Sequence, residues 1–251
     1  MPIAFVHGVP ETSAIWAPMV EALAARGRTD VTLLSPPGFG VPLPSGFEPH
    51  RERYAEWLAG ELDALGGDVD LVGHDWGAGH VFGLLDHRPD LVRTWAADCV
   101  GMTHPDYVWH DMAQVWQTPE AGEAAVAGMI GMPLDDRAAG LQGAGLPADT
   151  ARALAEAQND DMGRAILGLY RSGAQPAMAE LGERLATAEL PPGLVLLPTA
   201  DPYVGPVEST LERANVMGAP VCRLEGEGHW WMFGDAVPVV ADALSAHWAR
   251  D

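Results

Sequence analysis

The residues best suited to chemistry form the segment Gly73-His74-Asp75-Trp76-Gly77, in which small residues flank a central acid. The segment follows a short apolar run and precedes a helical pattern. A small residue two positions before and two positions after a central side chain is typical of the sharp strand-to-helix turn called a nucleophile elbow. The centre of that turn is more often serine, so this sequence predicts a carboxylate nucleophile at Asp75. The alternative is a glycine-rich turn in which the acid is incidental.

A second turn, His7-Gly8-Val9-Pro10, follows the first apolar run of the chain. A glycine-rich turn at the end of a strand can aim a backbone N–H group into a crevice at that edge of a sheet. The N–H groups of Val9 and Trp76 are therefore candidates for an oxyanion hole, which stabilises negative charge on a reacting oxygen. Taken alone, His7-Gly8 is explained as a plain turn.

An acid and a histidine follow the last two apolar runs. Asp201 lies within Pro198–Pro202 and His229 within Gly226–Trp230. Taken alone, Asp201 is explained as a turn residue before proline, and His229 as a surface histidine. Together with Asp75 they occur in the order nucleophile, acid, histidine, which is the chain order of a hydrolytic triad built on a nucleophile elbow. This order favours a catalytic site made of the three residues.

These residues need a scaffold that brings the ends of distant segments together. Six short apolar runs are predicted strands, and several are apolar on consecutive residues, as in strands buried on both faces. They are Ile3–Val6, Val31–Leu34, Val69–Gly73, Val92–Ala97, Leu194–Pro198 and Val221–Leu224. Helical patterns alternate with them at Ala17–Arg26, Arg51–Leu65 and Asp235–Trp248. Alternating strands and helices predict an α/β fold with a mainly parallel sheet and helices on both faces.

The alternation is interrupted between about Cys99 and Glu189, where no convincing strand is found. This stretch is rich in Ala, Gly, Met and Trp, and it contains helical patterns such as Pro119–Met129 and Thr150–Tyr170. Insertions at the carboxyl ends of parallel strands commonly cover the ligand crevice. We therefore expect residues 1–98 and 190–251 to form the core, and residues 99–189 to form a helical lid.

The composition excludes several classes of protein. The chain has 251 residues, with no lysine, 14 arginines and 35 acidic residues, which gives a net charge of −21. Nucleic acids and anionic membrane surfaces require clustered positive charge, so neither is an expected partner. Two cysteines, Cys99 and Cys222, form no disulfide framework and indicate a reducing compartment. The N-terminus lacks the basic and long apolar stretches of a signal peptide, so a soluble, cytoplasmic protein is expected.

On these motifs the sequence resembles the α/β-hydrolase family, and Gly73–Gly77 resembles its epoxide hydrolase and haloalkane dehalogenase branch. The family usually has two further strands before the one that ends in His-Gly, so the expected sheet lacks those first two edge strands. The resemblance implies that Asp75 attacks an sp³ carbon, and that water activated by His229 and Asp201 hydrolyses the resulting alkyl ester. It also implies a small hydrophobic substrate, no cofactor and no metal. Whether the protein forms a homodimer is left open by the sequence.

The leaving group decides between two activities within this branch. The stretch Leu169-Tyr170-Arg171 resembles the end of an epoxide hydrolase lid, which implies that Tyr170 protonates the opened epoxide. The position of a second proton donor falls near Met112, which cannot donate, so Tyr107 and His110 are the candidates. Epoxide hydrolysis is the leading prediction.

A haloalkane dehalogenase is the first alternative. Halide release needs two N–H donors, and the indole of Trp76 with that of Trp109 or Trp116 would supply them. A second alternative is a hydrolase-fold protein that binds a ligand without turnover, because fold does not determine function. The presence of Asp201, His229 and the His7-Gly8 turn argues against this second alternative.

Overall fold

The scaffold is described by a computed structural model over residues 1–249. Its strands are β1 (Ile3–Val6), β2 (Val31–Leu34), β3 (Val69–Gly73), β4 (Val92–Ala97), β5 (Gly193–Pro198) and β6 (Val221–Leu224). Its α-helices are α1 (Ala17–Ala24), α2 (Arg51–Ala64), α3 (Trp76–His87), α4 (Asp111–Gln117), α5 (Ala121–Gly131), α6 (Leu134–Gly143), α7 (Ala148–Ala157), α8 (Asp160–Ser172), α9 (Ala177–Leu185), α10 (Val207–Val216) and α11 (Val237–Trp248). None of the helices in this part of the chain is both long and apolar enough to cross a membrane.

The six strands form one sheet in the order β2-β1-β3-β4-β5-β6, and all neighbouring strands are parallel. β1, β3 and β5 are buried along their whole length, which explains why apolar residues dominate them. β1 and β3 pair with Val6 opposite Gly73. The turns that follow these two strands, with Val9 and Asp75, therefore meet at the same edge of the sheet. The predicted sheet is confirmed, and only β5 differs from its predicted bounds, by one residue.

Helices cover both faces of the sheet and bury two apolar clusters. Side chains alternate between them along β1, so Ala4 belongs to one cluster and Phe5 to the other. The first cluster includes Leu58 of α2 and Phe82 of α3, and the second includes Leu244 of α11. Full burial of such a side chain contributes roughly 1.5–3 kcal/mol. The two layers therefore stabilise the sheet whose carboxyl edge carries the functional turns.

Six α-helices, α4 to α9, lie between β4 and β5, and the structure has no strand among residues 98–192. The helical pattern predicted over Thr150–Tyr170 is divided into α7 and α8. Asn159 begins α8 because its backbone is extended (φ −146°, ψ −179°) and its side chain accepts a hydrogen bond of 3.0 Å from the N–H of Met162. Asparagine is strongly preferred at this position, and the prediction of a single helical pattern overlooked that signal.

Candidate active site

Asp75 lies on the turn between β3 and α3, with φ 52° and ψ −123°. Residues with a side chain rarely adopt positive φ. The strand and helix also approach each other closely here. A Cβ atom at Gly77 would lie 2.2 Å from the carbonyl oxygen of Val6, and a Cβ at Gly73 would lie 2.8 Å from the Cα of Ala78. Close packing therefore explains the two glycines of the motif, and Asp75 occupies the strained position between them.

The Asp75 carboxylate is held by the first turn of the chain. The N–H of Val9 donates a hydrogen bond of 2.8 Å to Oδ1 of Asp75. The backbone N–H of Trp76, the next residue, is near enough to this carboxylate to limit the rise in its pKa. Gly8 has to be glycine, since a Cβ on it would lie 2.3 Å from the Cβ of Asp75. The two N–H groups predicted for an oxyanion hole are thus both brought to Asp75.

His229 and Asp201 meet in the loops that follow β6 and β5. Nδ1 of His229 lies 2.8 Å from Oδ2 of Asp201, and a carboxylate in that position accepts the Nδ1 proton. The other oxygen of Asp201 accepts a hydrogen bond of 2.8 Å from the N–H of Tyr203. Nε2 of His229 faces Asp75 and lies 3.9 Å from its Oδ2. The structure therefore brings together the three residues predicted as a triad, with Nε2 beyond direct hydrogen-bond distance of Asp75.

The surroundings raise the pKa of both Asp75 and His229. Burial raises the pKa of Asp75 to about 6, and the positive charge that His229 can carry limits the rise. Burial alone would lower the pKa of His229, but the charge and hydrogen bond of Asp201 raise it above its ordinary value. Asp75 is therefore still mainly ionised at neutral pH, and Asp201 favours the imidazolium that forms when His229 takes up a proton.

These groups line a cavity of about 160 Å³ at the carboxyl edge of the sheet. The helical segment between β4 and β5 contributes His110, Met112, Trp116 and Tyr170 to its wall. Most of the wall is apolar or aromatic, and only a few polar groups converge on one point near Asp75. Such surroundings suit a small hydrophobic molecule that reacts at a single polar centre.

Tyr170 of α8 lines the cavity and is 2% exposed. Burial raises the pKa of its phenol well above the ordinary value, and the negative charge of Asp75 raises it further. The phenol therefore keeps its proton at neutral pH and can donate it in a hydrogen bond. Trp109 and Trp116 fix the ring, with centroid distances of 5.5 and 4.7 Å.

Only one of the two candidates for a second proton donor reaches the cavity. His110 lines it, and its Nδ1 accepts a hydrogen bond of 3.2 Å from the N–H of Ala113, which leaves the proton of the neutral ring on Nε2. Burial lowers the pKa of His110, which favours that neutral form. Tyr107 does not line the cavity, because its hydroxyl donates a hydrogen bond of 2.7 Å to the backbone carbonyl of Tyr203. Tyr107 thus holds a loop and is not placed to act as an acid.

The tryptophans considered as halide donors differ in position. Trp116 lines the cavity, whereas Trp76 and Trp109 stack on each other behind Tyr170, with centroids 5.4 Å apart and planes at 14°. The indole N–H groups of Trp76 and Trp109 are buried and have no hydrogen-bond partner of ordinary geometry within residues 1–249. The indole of Trp76 is nevertheless near enough to the Tyr170 phenol to oppose part of the rise in its pKa. Two such donors in one aromatic stack are unusual, since buried indole N–H groups usually find a partner.

A buried ionic cluster beneath the elbow was not predicted. Glu11, His74 and Asp98, which we call the buried frame, are each at most 1% exposed. Nδ1 of His74 lies 2.5 Å from Oδ2 of Asp98, and its Nε2 lies 3.3 Å from Oε1 of Glu11. Burial alone would lower the pKa of His74, but the two carboxylates raise it well above the ordinary value. The two carboxylates therefore favour the imidazolium form of His74.

The buried frame connects the three functional loops. Glu11 accepts a hydrogen bond of 2.9 Å from the N–H of Gly8 and one of 2.5 Å from the indole N–H of Trp230, which follows His229. Asp98 accepts a hydrogen bond of 2.9 Å from the N–H of Asp75. The sequence signal for this linking of the loops is slight. It consists of one polar residue beside each motif, Glu11 after the first turn and His74 before Asp75.

Two groups of side chains hold nitrogen, oxygen or sulfur atoms within 4.8 Å of one another. They are Glu11 with His74 and His229, and Cys99 with Asp201 and His229. These are the described residues that could approach one cation together. The same carboxylates and rings form the contacts given above, so a cation would have to replace those contacts. Catalysis without a metal remains a prediction.

The family of the protein follows from comparison with known proteins. Residues 3–243 match the model of the alpha/beta hydrolase family. The chain therefore belongs to the α/β-hydrolase family, whose fold its parallel sheet and flanking helices display.

Individual relatives show which known proteins the chain is similar to. The chain is 37% identical over 98 residues to epoxide hydrolase 2 of Siraitia grosvenorii, which covers 36% of this chain and 29% of that protein. It is 33% identical over 95 residues to an epoxide hydrolase of Caballeronia sordidicola, covering 36% of this chain and 28% of that protein. The chain thus matches less than a third of the length of these relatives. The haloalkane dehalogenase DbeA of Bradyrhizobium elkani shares the fold, with a TM-score of 0.71 at 20% identity over 99% of this chain and 91% of that chain.

Proposed function

We propose that the protein hydrolyses epoxides through a covalent alkyl ester on Asp75. The observation that carries the proposal is the arrangement of the Asp75 carboxylate. Oδ1 accepts the hydrogen bond from Val9, and Oδ2 faces Nε2 of His229 at 3.9 Å. One oxygen is therefore held by the backbone, while the other is the candidate for attack on a substrate in the cavity.

In the first step, Oδ2 of Asp75 attacks an epoxide carbon. A C–O ester bond forms and a ring C–O bond breaks, so the electron pair of that bond moves to the epoxide oxygen. An alkoxide is about as basic as hydroxide, the conjugate base of water with its pKa of about 15.7, so the ring oxygen needs a proton as the C–O bond breaks. Tyr170 supplies the proton, and Nε2–H of His110 donates a hydrogen bond to the same oxygen. Both side chains line the cavity that contains Asp75.

In the second step, water attacks the carbonyl carbon of the ester. Nε2 of His229 takes the proton of the water, and Asp201 stabilises the resulting imidazolium through the 2.8 Å contact with Nδ1. Negative charge then develops on the ester oxygen that was Oδ1 of Asp75. The N–H groups of Val9 and Trp76 stabilise it. Collapse of this intermediate breaks the bond between the carboxyl carbon and the former Oδ2, and this oxygen leaves with the diol and takes the proton from His229. The second proton of the water, left on the Asp75 carboxyl group, returns to the Tyr170 phenolate, so both groups regain their starting forms.

The choice of substrate class follows from the nucleophile. Attack of a carboxylate on an ester or amide gives an anhydride, which offers little advantage over the starting acyl compound. Attack on an sp³ carbon with a strained or good leaving group gives a stable alkyl ester. In this proposal the helical segment between β4 and β5 acts as a lid, because it supplies the proton donors and most of the apolar wall. Residues 99–189 would form that lid over a core made of residues 1–98 and 190–251.

Haloalkane hydrolysis is the second candidate. The observation in its favour is the pair of buried indole N–H groups of Trp76 and Trp109 that lack a hydrogen-bond partner of ordinary geometry among the described residues. A leaving halide requires two such donors. The pair ranks second because neither indole lines the cavity with Asp75, whereas the Tyr170 phenol does.

Isotope labelling tests the covalent step. Single turnover of a styrene-type or alkyl epoxide in ¹⁸O-water should place ¹⁸O in the carboxylate of Asp75, since water attacks the carboxyl carbon. A mechanism in which Asp75 acts as a general base leaves that carboxylate unlabelled and contradicts the proposal. Diol and halide formation from a matched panel of epoxides and haloalkanes decides between the two candidates.

Trapping of the ester tests whether His229 acts in hydrolysis and not in alkylation. His229→Gln should retain alkylation and lose hydrolysis, so the protein mass should increase by the mass of the substrate. His87→Gln is the matched control, because the side chain of His87 is 62% exposed and does not line the cavity. It should turn over normally and accumulate no adduct. An active wild-type enzyme whose His229→Gln variant forms no adduct would contradict the ester on Asp75.

A further inference from the structure

A second cavity lies on the other side of the wall that contains His229. It measures about 400 Å³ and is bordered by Ala144, Ala200, Glu227 and Phe233. Three residues line both this cavity and the 160 Å³ cavity that contains Asp75: Tyr203, His229 and Trp230. These three side chains are therefore the partition between the two spaces.

The three side chains of the partition are held to different degrees. His229 is bonded to Asp201, and the indole of Trp230 donates to Glu11 at 2.5 Å. The hydroxyl of Tyr203 forms no hydrogen bond with another residue of the described chain, and its ring is positioned by edge contacts with His229 and His110, at centroid distances of 4.9 and 5.1 Å. Tyr203 is thus the member of the partition that can be changed without removing a hydrogen bond of its side chain.

The volume on the Asp75 side limits the molecule that fits. Ligand pockets for drug-sized molecules usually measure about 300–1,000 Å³, so a cavity of about 160 Å³ is small. The space next to Asp75 is therefore suited to a short chain. The second cavity would more than double the available space if the partition opened.

We propose that Tyr203 is a specificity-determining residue that restricts the substrate to a short, uncharged molecule by closing the 160 Å³ cavity against the second cavity. The inference rests on the proposed function, and it names the size class of the epoxide. Without the Tyr203 ring, an alkyl chain extends past His229 into the second cavity, where Trp230 and Phe233 offer aromatic surfaces. Glu227 lines that cavity too, which disfavours an anionic chain end.

The test uses ligands that do not react, so that it stands apart from epoxide hydrolysis. Binding of 1-alkanols with four to nine carbons is measured by the change in tryptophan fluorescence of the full chain, since Trp116 and Trp230 line the cavity. Burial of each methylene should tighten binding about fourfold while space remains. In the wild type, the increase should stop before the longest alcohol. In Tyr203→Ala it should continue to the longest alcohol.

Matched variants show whether the ring of Tyr203, and the space behind it, set the limit. Tyr203→Phe keeps the ring and should behave as the wild type. Adding Ala144→Trp to Tyr203→Ala fills the second cavity from an exposed position and should restore the wild-type limit. Tyr203→Leu removes the ring while leaving a side chain in place, and it provides the test if the alanine variant does not fold. The same chain lengths are then run as terminal epoxides, where the ratio of kcat/KM for long over short substrates should rise at least tenfold in Tyr203→Ala.

Each outcome decides one of the two proposals. If wild-type affinity increases through the longest alkanol, or if Tyr203→Ala keeps the wild-type limit, Tyr203 is not the partition and the inference is wrong. If the alkanols behave as expected but no epoxide is hydrolysed, the proposed function fails while the role of Tyr203 in limiting ligand length stands.

Discussion

Replacement of Tyr170 by phenylalanine separates the two candidate activities most directly. The change removes one hydroxyl and keeps the ring that packs between Trp109 and Trp116. The net contribution of a single hydrogen bond to stability is about 1 kcal/mol, so the free energy of unfolding should change by no more than that. The epoxide oxygen, by contrast, loses its proton donor.

The expected rate loss follows from the surroundings of the hydroxyl. A positioned acid contributes typically 10²–10⁴ in rate. His110 remains in the cavity of the variant with its Nε2–H available, so the loss should fall in the lower part of that range, at about 10²–10³. This corresponds to about 2.7–4.1 kcal/mol of transition-state stabilisation. The alkylation step should carry the whole effect, because hydrolysis of the ester depends on His229.

Single-turnover kinetics provides the assay, with alkylation followed by tryptophan fluorescence and the ester by mass spectrometry. Tyr54→Phe is the matched control: its hydroxyl is also buried and donates 2.8 Å to the carbonyl of Pro37, but it does not line the cavity. It should lose stability without losing rate. A halide leaves unprotonated, so a dehalogenase would tolerate Tyr170→Phe and be impaired by Trp76→Phe. That pair of results on one active substrate would refute the assignment to epoxides.

Three further predictions concern pH and the buried groups. Alkylation in single turnover should fall as the pH decreases through about 6, because Asp75 is then protonated and its pKa is raised to that value by burial. Glu11→Gln should lower the free energy of unfolding by roughly 3–5 kcal/mol, because it leaves the His74 imidazolium with one carboxylate instead of two. Urea unfolding measures this change, and an unfolding midpoint equal to that of the wild type would contradict the ion pair. Burial lowers the pKa of His80 to about 3 in the folded state, so its contribution to stability is complete above the unfolded value of 6.5 and is lost as the pH falls from 6.5 toward 3. His80→Phe should reduce that acid sensitivity, as read from unfolding midpoints at pH 7 and pH 4.5.

The sheet and the main site could be predicted because their signals are local. A buried parallel strand must be apolar on consecutive residues, and a nucleophile elbow must have small residues where Gly73 and Gly77 stand. Both constraints act within five or six residues, so both patterns can be recognised in the sequence without a structure. The order of Asp75, Asp201 and His229 then follows from strand connectivity, and the 2.8 Å contact of Asp201 with His229 agrees with the predicted pairing.

The contacts of the helical segment between β4 and β5 and of the buried frame could not be predicted, because they join distant parts of the sequence. Tyr107 and His110 lie three residues apart, yet only His110 turns to the cavity, because the Tyr107 hydroxyl bonds to the loop after β5. Asp98 shows no motif at all, and its function is visible only in its contacts with His74 and Asp75. Tyr203 was overlooked for the same reason, since nothing in Asp201–Gly205 indicates a wall between two cavities.

The surroundings of Asp75 bear on its proposed role as a nucleophile near neutral pH. The pKa values of Glu11 and Asp98 are lowered and that of His74 is raised, so the frame carries two negative charges and one positive charge. Burial is the main cause that raises the pKa of Asp75 to about 6; the charge of Glu11 raises it further, and the charges of His229 and His74 limit the rise. A more basic carboxylate that is still ionised at pH 7 is a better nucleophile than an exposed aspartate. In the proposed mechanism, formation of the alkyl ester removes the negative charge of Asp75 from its buried position, so burial favours the covalent intermediate on which the second step depends.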